Sequence, residues 1–320
     1  MPKREVTVGI DIGGTTTGIG MVDAEGRLIA KKTIDTFGKR PFTEFKENLF
    51  REWESFFHAF QDEVNVLGIG AGAPNANYYK GTIENPPNLR WGFVNFVEEL
   101  SNHFSLPVFI TNDANAAAIG EKLFGAAKNT ENFIEITLGT GLGSGIVSAG
   151  QVVYGHDGFA GELGHIIVQP EGRLCGCGNR GCLETYASAT GIVRTFFKML
   201  ASENKESVLT HKSMDEITSK MIYEAAKAGD EIAFKTFEYT GKFLGRGMAT
   251  AVTLFSPDLI VLFGGAASAG DLLIKPAIES LNNHVFAPFK DKVSIKISEL
   301  PAGDAAILGA SALAWNELQK

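Results

Sequence analysis

The sequence predicts an α/β protein built from two duplicated halves with a cleft between them. Three observations lead there. The chain has 320 residues, which suits about two domains at roughly 150 residues each. A strand, glycine turn, strand pattern occurs twice, and strand-like runs alternate with helix-like ones. In the first copy residues 6–12 are apolar and β-branched. Gly13-Gly14-Thr15-Thr16-Thr17-Gly18 then breaks the run before residues 19–22, and Asp23-Ala24-Glu25-Gly26 turns the chain into residues 27–32. This reads as three consecutive antiparallel strands. The second copy runs through residues 134–138, the turn Gly139-Thr140-Gly141-Leu142-Gly143, residues 145–148, Ala149-Gly150 and residues 151–154, an offset of about 125 residues.

Between the copies, residues 41–60 place Phe42, Phe45, Leu49, Trp53, Phe56 and Phe57 at helical spacing. A strand over 64–70, a loop over 71–91, a helix over 93–104 and a strand over 108–111 follow. That strand ends at Asn112-Asp113, ahead of an alanine-rich helix over 115–124. Past residue 185 helices are predicted over 192–200, 214–228 and 232–254, then a strand over 259–263 running into Gly264-Gly265. The charged, glycine-poor stretch 202–215 reads as a peripheral insertion. Two such halves predict a ligand cleft at their junction.

Composition removes several function classes. Lys and Arg number 29 against 37 Asp and Glu, a net charge of -8 that repels a polyanion, so no nucleic-acid partner is expected. No apolar run approaches the ~18 residues of a membrane span, and the N-terminus lacks a signal-peptide core. A soluble, cytoplasmic protein with no membrane partner is the expectation.

Glycine turns after strands let backbone amides approach phosphate oxygens, because no Cβ intervenes. Gly13, Gly14, Thr15 and Thr16 suit that task in the first half; Gly139, Thr140, Gly141 and Gly143 suit it in the second. Neither turn is a Walker loop or opens a helix as a dinucleotide fingerprint does. Each alone could be a tight hairpin, but two at repeat-equivalent positions suggest a nucleotide straddling the halves, with Asp11 placed to hold hydrated Mg²⁺. Asp113 stands where α/β sheets expose residues to a crevice, as a general base or simply as a helix N-cap. All three cysteines, Cys175, Cys177 and Cys182, fall within eight residues, and with His165 they make the Cys3His composition of structural Zn²⁺. Glu162 and Glu184 flank this segment, where carboxylates can accept bonds from vicinal hydroxyls or simply face water. His58, His103, His156, His211 and His284 have no clustered partners.

These pieces together resemble the ROK family of repressors and sugar kinases, within the actin-like/hexokinase ATPase superfamily. The matching segments are Asp11-Ile12-Gly13-Gly14-Thr15, Asn112-Asp113-Ala114-Asn115-Ala116, Leu138 through Gly143, Glu162-Leu163-Gly164-His165, residues 175–184 and Gly264-Gly265. The resemblance implies two duplicated actin-like (ribonuclease H-like) ATPase domains. Residues 1–116 would form the first and residues 117–304, with the zinc loop 162–184, the larger second. A last helix over about 305–320 would return to the first. It further implies ATP-dependent phosphorylation of a hexose, with Asp113 as catalytic base and Asn75, Asn88, Asn112, Asp113, Glu162, His165 and Glu184 around the sugar. ATP and Mg²⁺ would use the two glycine turns, Asp11, Gly264 and Gly265; Zn²⁺ would use His165, Cys175, Cys177 and Cys182. A homodimer is also implied.

Two departures stand out. Where the family continues its substrate loop with Pro-Gly, this chain has Ala73-Pro74-Asn75, so a backbone contact is either replaced by the Asn75 side chain or lost. The family's repressors carry a long N-terminal helix-turn-helix, whereas here the phosphate motif starts within a dozen residues of Met1, and no DNA-reading element is expected. The leading reading is a glucokinase, with mannose or fructose next and N-acetyl hexosamines such as N-acetylmannosamine after, because the carboxylate-rich site offers no identified apolar niche for an acetyl group. A non-catalytic sugar sensor and a glycosidase using Asp113 and Glu162 are the competing readings.

Overall fold

The computed structural model describes residues 2–203 and 205–320. The first half opens on an antiparallel meander of β1 (Arg4–Ile12), β2 (Thr16–Asp23) and β3 (Leu28–Asp35). Helix α1 (Phe42–His58) leads to β4 (Val64–Gly72), then to a small sheet of β5 (Ala76–Asn77), β6 (Thr82–Glu84) and β7 (Phe93–Val94). After α2 (Phe96–Phe104) comes β8 (Val108–Thr111), followed by α3 (Asp113–Phe124). The main sheet has the order β3-β2-β1-β4-β8, with β4 parallel to both β1 and β8.

The second half repeats this plan. A meander of β9 (Phe133–Leu138), β10 (Leu142–Ser148) and β11 (Gln151–Val152) precedes α4 (Glu184–Ala187), α5 (Ala189–Glu203), α6 (Ser219–Lys227) and α7 (Glu231–Phe255). Then follow β12 (Leu259–Phe263), α8 (Asp271–His284), β13 (Ser294–Ile297) and α9 (Ala305–Leu318). Its sheet order, β11-β10-β9-β12-β13, has the same topology as the first, with β12 parallel to β9 and β13. The repeated pattern in the sequence is therefore a repeated sheet.

Strand β1 is buried on both faces from Val6 to Ile10. Val6, Val8, Ile10 and Ile12 pack with Phe45 and Leu49 of α1, while Thr7 on the other face meets α9, its hydroxyl 2.6 Å from that of Ser311. Helix α9 lies so close to this sheet that a Cβ on Gly70 would run into the carbonyl of Ala310. The Trp315 indole, donating to the Val22 carbonyl at 3.3 Å, fixes the far end of the helix. Helices α3 and α9 pack on each other, and α3 also packs on β9 and β10, so this pair joins the two sheets.

The elements differ from the sequence reading in several places, among them the loop expected over 71–91, which contains β5 and β6. The helix expected over 214–228 starts at Ser219, because the Thr218 hydroxyl caps it by accepting from the Met221 amide, while the Ser213 amide and hydroxyl close a separate turn on Glu216. The helix expected from residue 93 starts at Phe96, since Phe93 and Val94 pair with β6. The alanine-rich helix begins at Asp113, two residues earlier than expected. Helix α8 and strand β13 were unassigned: Pro276 interrupts the helical signal of the first, and the second is short and mostly exposed. Among the described residues no helix is long and apolar enough to cross a membrane.

Candidate active site

Parallel strands present their carboxyl ends to a common crevice. Here β1 ends near Asp11, β4 in the Pro74-Asn75 turn, β8 at Asn112 and β12 at Phe263. Together with the β9–β10 turn, residues 162–165 and Glu184, they surround a cleft of about 440 Å³. Asp11, Asn75, Asn88, Asn112, Asp113, Gly139, Thr140, Gly141, Gly143, Glu162, His165 and Glu184 all line it. Residues from widely separated segments thus meet in one space.

Asn112 is the N-cap of α3: its side-chain oxygen accepts from the Ala114 amide at 2.9 Å, which leaves its NH₂ free for a ligand. Asp113 therefore is not the cap, although one of its oxygens shares the same amide at 2.9 Å. Its side chain is exposed on the cleft lining, with the cleft walls close around it. Desolvation by these walls raises its pKa, while the amides at the helix start pull in the opposite direction. Asp11 is raised to about 6, first by desolvation and then by the charge of Asp113. Burial likewise raises Glu162, with Asp113 and Glu184 adding to the effect and His165 opposing it. Among the described residues no Lys or Arg forms an ion pair with these carboxylates. A site of this kind suits a neutral polyhydroxyl ligand together with a divalent cation, for which Asp11 offers the hard oxygen donor.

The four predicted zinc ligands converge beside the cleft, their ligand atoms all within 4.8 Å of one another. His165 Nδ1 lies 3.7 Å from Cys175 Sγ, and Cys177 Sγ lies 3.7 Å from Cys182 Sγ. A tetrahedral site with Zn–S near 2.3 Å has S···S edges of about 3.8 Å, so these two pairs already have the spacing the ion needs. Burial pushes the Cys182 thiol up to about 12, and a thiol so held ionises readily only beside a cation. With Nδ1 toward the cluster, His165 turns Nε2 to the cleft, 4.0 Å from a Glu162 oxygen.

Other predicted residues border the cleft without lining it. Gly13, Gly14, Thr15 and Thr16 form a turn at its rim, closed by the Gly13 amide donating to the Thr16 carbonyl at 3.1 Å. Gly265 lines an adjoining pocket of about 420 Å³ with Ile192, Ser219, Lys220, Tyr223 and Glu224, and Gly264 is the turn residue before it. Asn75 keeps the left-handed backbone (φ 53°) that glycine would favour, and its NH₂ donates to the carbonyls of Glu84 and Asn85, both at 3.2 Å. Its side chain thus holds the loop leading to Asn88.

The sequence reading missed the α6 wall of the second pocket, and it missed Ser144. The Ser144 hydroxyl donates to the Gly161 carbonyl and accepts from the Leu163 amide at 3.1 Å, fixing the segment that carries Glu162. The signal was present in Gly143-Ser144-Gly145, where one polar side chain interrupts the glycines.

Comparison with known proteins identifies the family. The ROK family profile matches residues 7–317. The chain belongs to the ROK family. It is 34% identical over 318 residues to the glucokinase of Thermotoga maritima, covering 98% of each chain. A crystal structure of a ROK family glucokinase from Streptomyces griseus, in complex with glucose and AMPPNP, superposes with a TM-score of 0.80 at 33% identity, covering 97% of this chain and 99% of that one. A ROK family transcriptional regulator, a homologue of the E. coli Mlc protein, superposes with a TM-score of 0.88 at 28% identity, covering 98% of this chain and 78% of that one. The fold is that of the actin-like sugar kinases.

The Asp11 shift has a consequence for stability. Between its ordinary value of 3.8 and about 6 the folded protein holds more protons at this site than the unfolded chain. Asp11 therefore costs stability as pH rises through that window. In magnesium-free buffer Asp11→Asn should melt above the wild type at pH 7–8, with the difference closing below about pH 4. Equal melting temperatures across the range would show that the carboxylate is not desolvated.

Proposed function

We propose that the protein is an ATP-dependent hexose kinase, a glucokinase that converts glucose and ATP to glucose 6-phosphate and ADP. The observation that carries this reading is the position of Asp113. A desolvated carboxylate without a cation partner faces one space shared by hydroxyl ligands and by a glycine turn suited to phosphate. Similarity to two glucokinases supports the same reading.

The Asn112 amide, Glu162, His165 and Glu184 would hold the ring hydroxyls, and Asp113 would receive the sixth. As that oxygen bonds to the γ-phosphorus, its proton passes to Asp113 and the bond to the β–γ bridging oxygen breaks, so the electron pair leaves with ADP. A raised pKa makes Asp113 a better proton acceptor than an ordinary carboxylate. Asp11 would hold Mg²⁺, which supplies charge neutralisation on the phosphates. Backbone amides of the 139–143 turn would supply the remaining donors, so the chemistry is mostly positioning and electrostatics. The pocket beside Gly265 would seat the nucleoside. His165, Cys175, Cys177 and Cys182 would hold structural Zn²⁺, closed to water and without a chemical step of its own. We assign residues 1–116 with α9 to one domain and residues 117–304 to the other.

A glycosidase built on Asp113 and Glu162 leaves the phosphate-type turn without a role. A pure sugar sensor, suggested by similarity to the regulator, needs no desolvated base. Sugar-dependent ADP release from Mg-ATP separates these readings: glucose should give the highest kcat/KM, ahead of mannose, fructose, N-acetylglucosamine and N-acetylmannosamine. Asp113→Asn should keep the fold and the glucose affinity yet lower kcat by ~10² to 10⁴. Turnover within a few-fold of wild type would remove Asp113 from the mechanism, and preference for an N-acetyl sugar would change the substrate while leaving the kinase.

Purified protein should contain about one zinc per chain. Cys177→Ala should release it and raise the sugar KM by about 10 to 100-fold by loosening His165, Glu162 and Glu184. Metal analysis showing zinc-free, fully active protein would contradict this.

A further inference from the structure

The β9–β10 turn cannot set its own shape. Its single internal bond runs from the Gly139 amide to the Gly141 carbonyl at 3.1 Å. Three further bonds come from one place, the junction of α4 and α5. The Ala189 amide donates to the Gly139 carbonyl at 2.8 Å. The Thr190 hydroxyl donates to the Thr140 carbonyl at 2.9 Å. Glu184 accepts from the Leu142 amide at 3.0 Å, and it sits so close that a Cβ on Gly141 would lie 2.5 Å from its oxygen. These bonds draw the carbonyls of Gly139 and Thr140 back toward the helices. Among the described residues the amides of Thr140 and Gly141 donate to no backbone carbonyl. A turn whose carbonyls are occupied and whose amides are free is an anion nest.

We infer that the α4–α5 junction is a clamp that presets this nest for the nucleotide's phosphates, and that Thr190 is a positioning residue acting through the Thr140 carbonyl. The inference deepens the kinase reading and rests on it. The Thr190 hydroxyl is itself held, 3.0 Å from that of Ser188, which in turn accepts from the Gly191 amide at 3.0 Å. Thr190 is therefore oriented by its own neighbours before any ligand arrives. The same junction follows directly from Cys182, whose carbonyl accepts from the Thr185 amide at 3.0 Å. Order in the cysteine loop thus reaches the phosphate turn as well as the sugar side of the cleft.

Thr190 lies outside the sugar-binding group, which makes the clamp separable from it. In Thr190→Val the side chain keeps its shape and loses the donor, and the freed Thr140 carbonyl can turn toward the nest. The affinity for a non-hydrolysable ATP analogue with Mg²⁺, measured by titration calorimetry, should fall about three- to tenfold. The KM for ATP should rise equally, and the KM for the sugar should stay within about twofold. Thr190→Ser should restore nucleotide affinity to within about twofold of wild type, a rescue that a packing role for the methyl group would not give. Thr190→Ala serves the same purpose as Thr190→Val if the valine variant melts early. Unchanged nucleotide affinity in the variants lacking the hydroxyl, an equal loss for sugar and nucleotide, or failure of the serine rescue would each overturn the clamp. If the wild type shows no sugar-dependent ADP release, the kinase reading fails, while calorimetry still decides the clamp.

Discussion

Desolvation of two facing carboxylates, Asp11 and Asp113, is the constraint on which the rest of the site depends. Taking a charged group out of water without a counter-charge destabilises the fold, and here the charge of Asp113 adds to the cost at Asp11. The protein sustains this because both lie at the ends of elements fixed elsewhere. Asp11 ends a strand buried on both faces, and Asp113 opens a helix whose N-cap is the neighbouring Asn112. Destabilisation stored at a site in this way is the usual counterpart of function.

The duplicated sheet explains how so few residues assemble such a site. Each sheet opens with a meander whose first turn is glycine-rich and continues into parallel strands, so two equivalent sets of strand ends face one cleft. One half contributes Asp11, Asn112 and Asp113, and the other contributes the phosphate-type turn and the cysteine loop. Helices α3 and α9, packed on each other, keep the halves in register. Side chains such as Ser144 and Asn75 then hold short loops against these rigid elements.

Much of this was legible in the sequence because the chemistry is carried by local signals. Glycine turns after apolar runs, a Cys3His set and an Asn-Asp pair at a strand end each announce themselves within a dozen residues, and the structure brings the second turn, the Asn-Asp pair and His165 to one cleft. What stayed hidden depends on distant contacts. The hydroxyl of Thr190 bonds a carbonyl 50 positions away, and no local pattern marks it. The α6 wall of the second pocket is formed by a helix whose start was misplaced by five residues, because Thr218 caps it within a polar stretch. Glu135 is wholly buried on β9, where Thr137 donates to one of its oxygens at 2.9 Å, although its neighbours in sequence read as a plain apolar strand. The role of Asn75 was open between two alternatives, and its side chain turns out to hold a loop while its backbone keeps the glycine-like conformation.

The most direct test of this account is the ionisation of Asp113 itself. Carbon-13 NMR of protein labelled at aspartate carboxyls, with Asp113→Asn used to assign the resonance, follows that titration in magnesium-free buffer. The account predicts a midpoint above the ordinary carboxylate value of 3.8, moving when sugar fills the cleft. A midpoint at or below 3.8, unchanged by sugar, would show a solvated helix-start carboxylate and contradict the central claim.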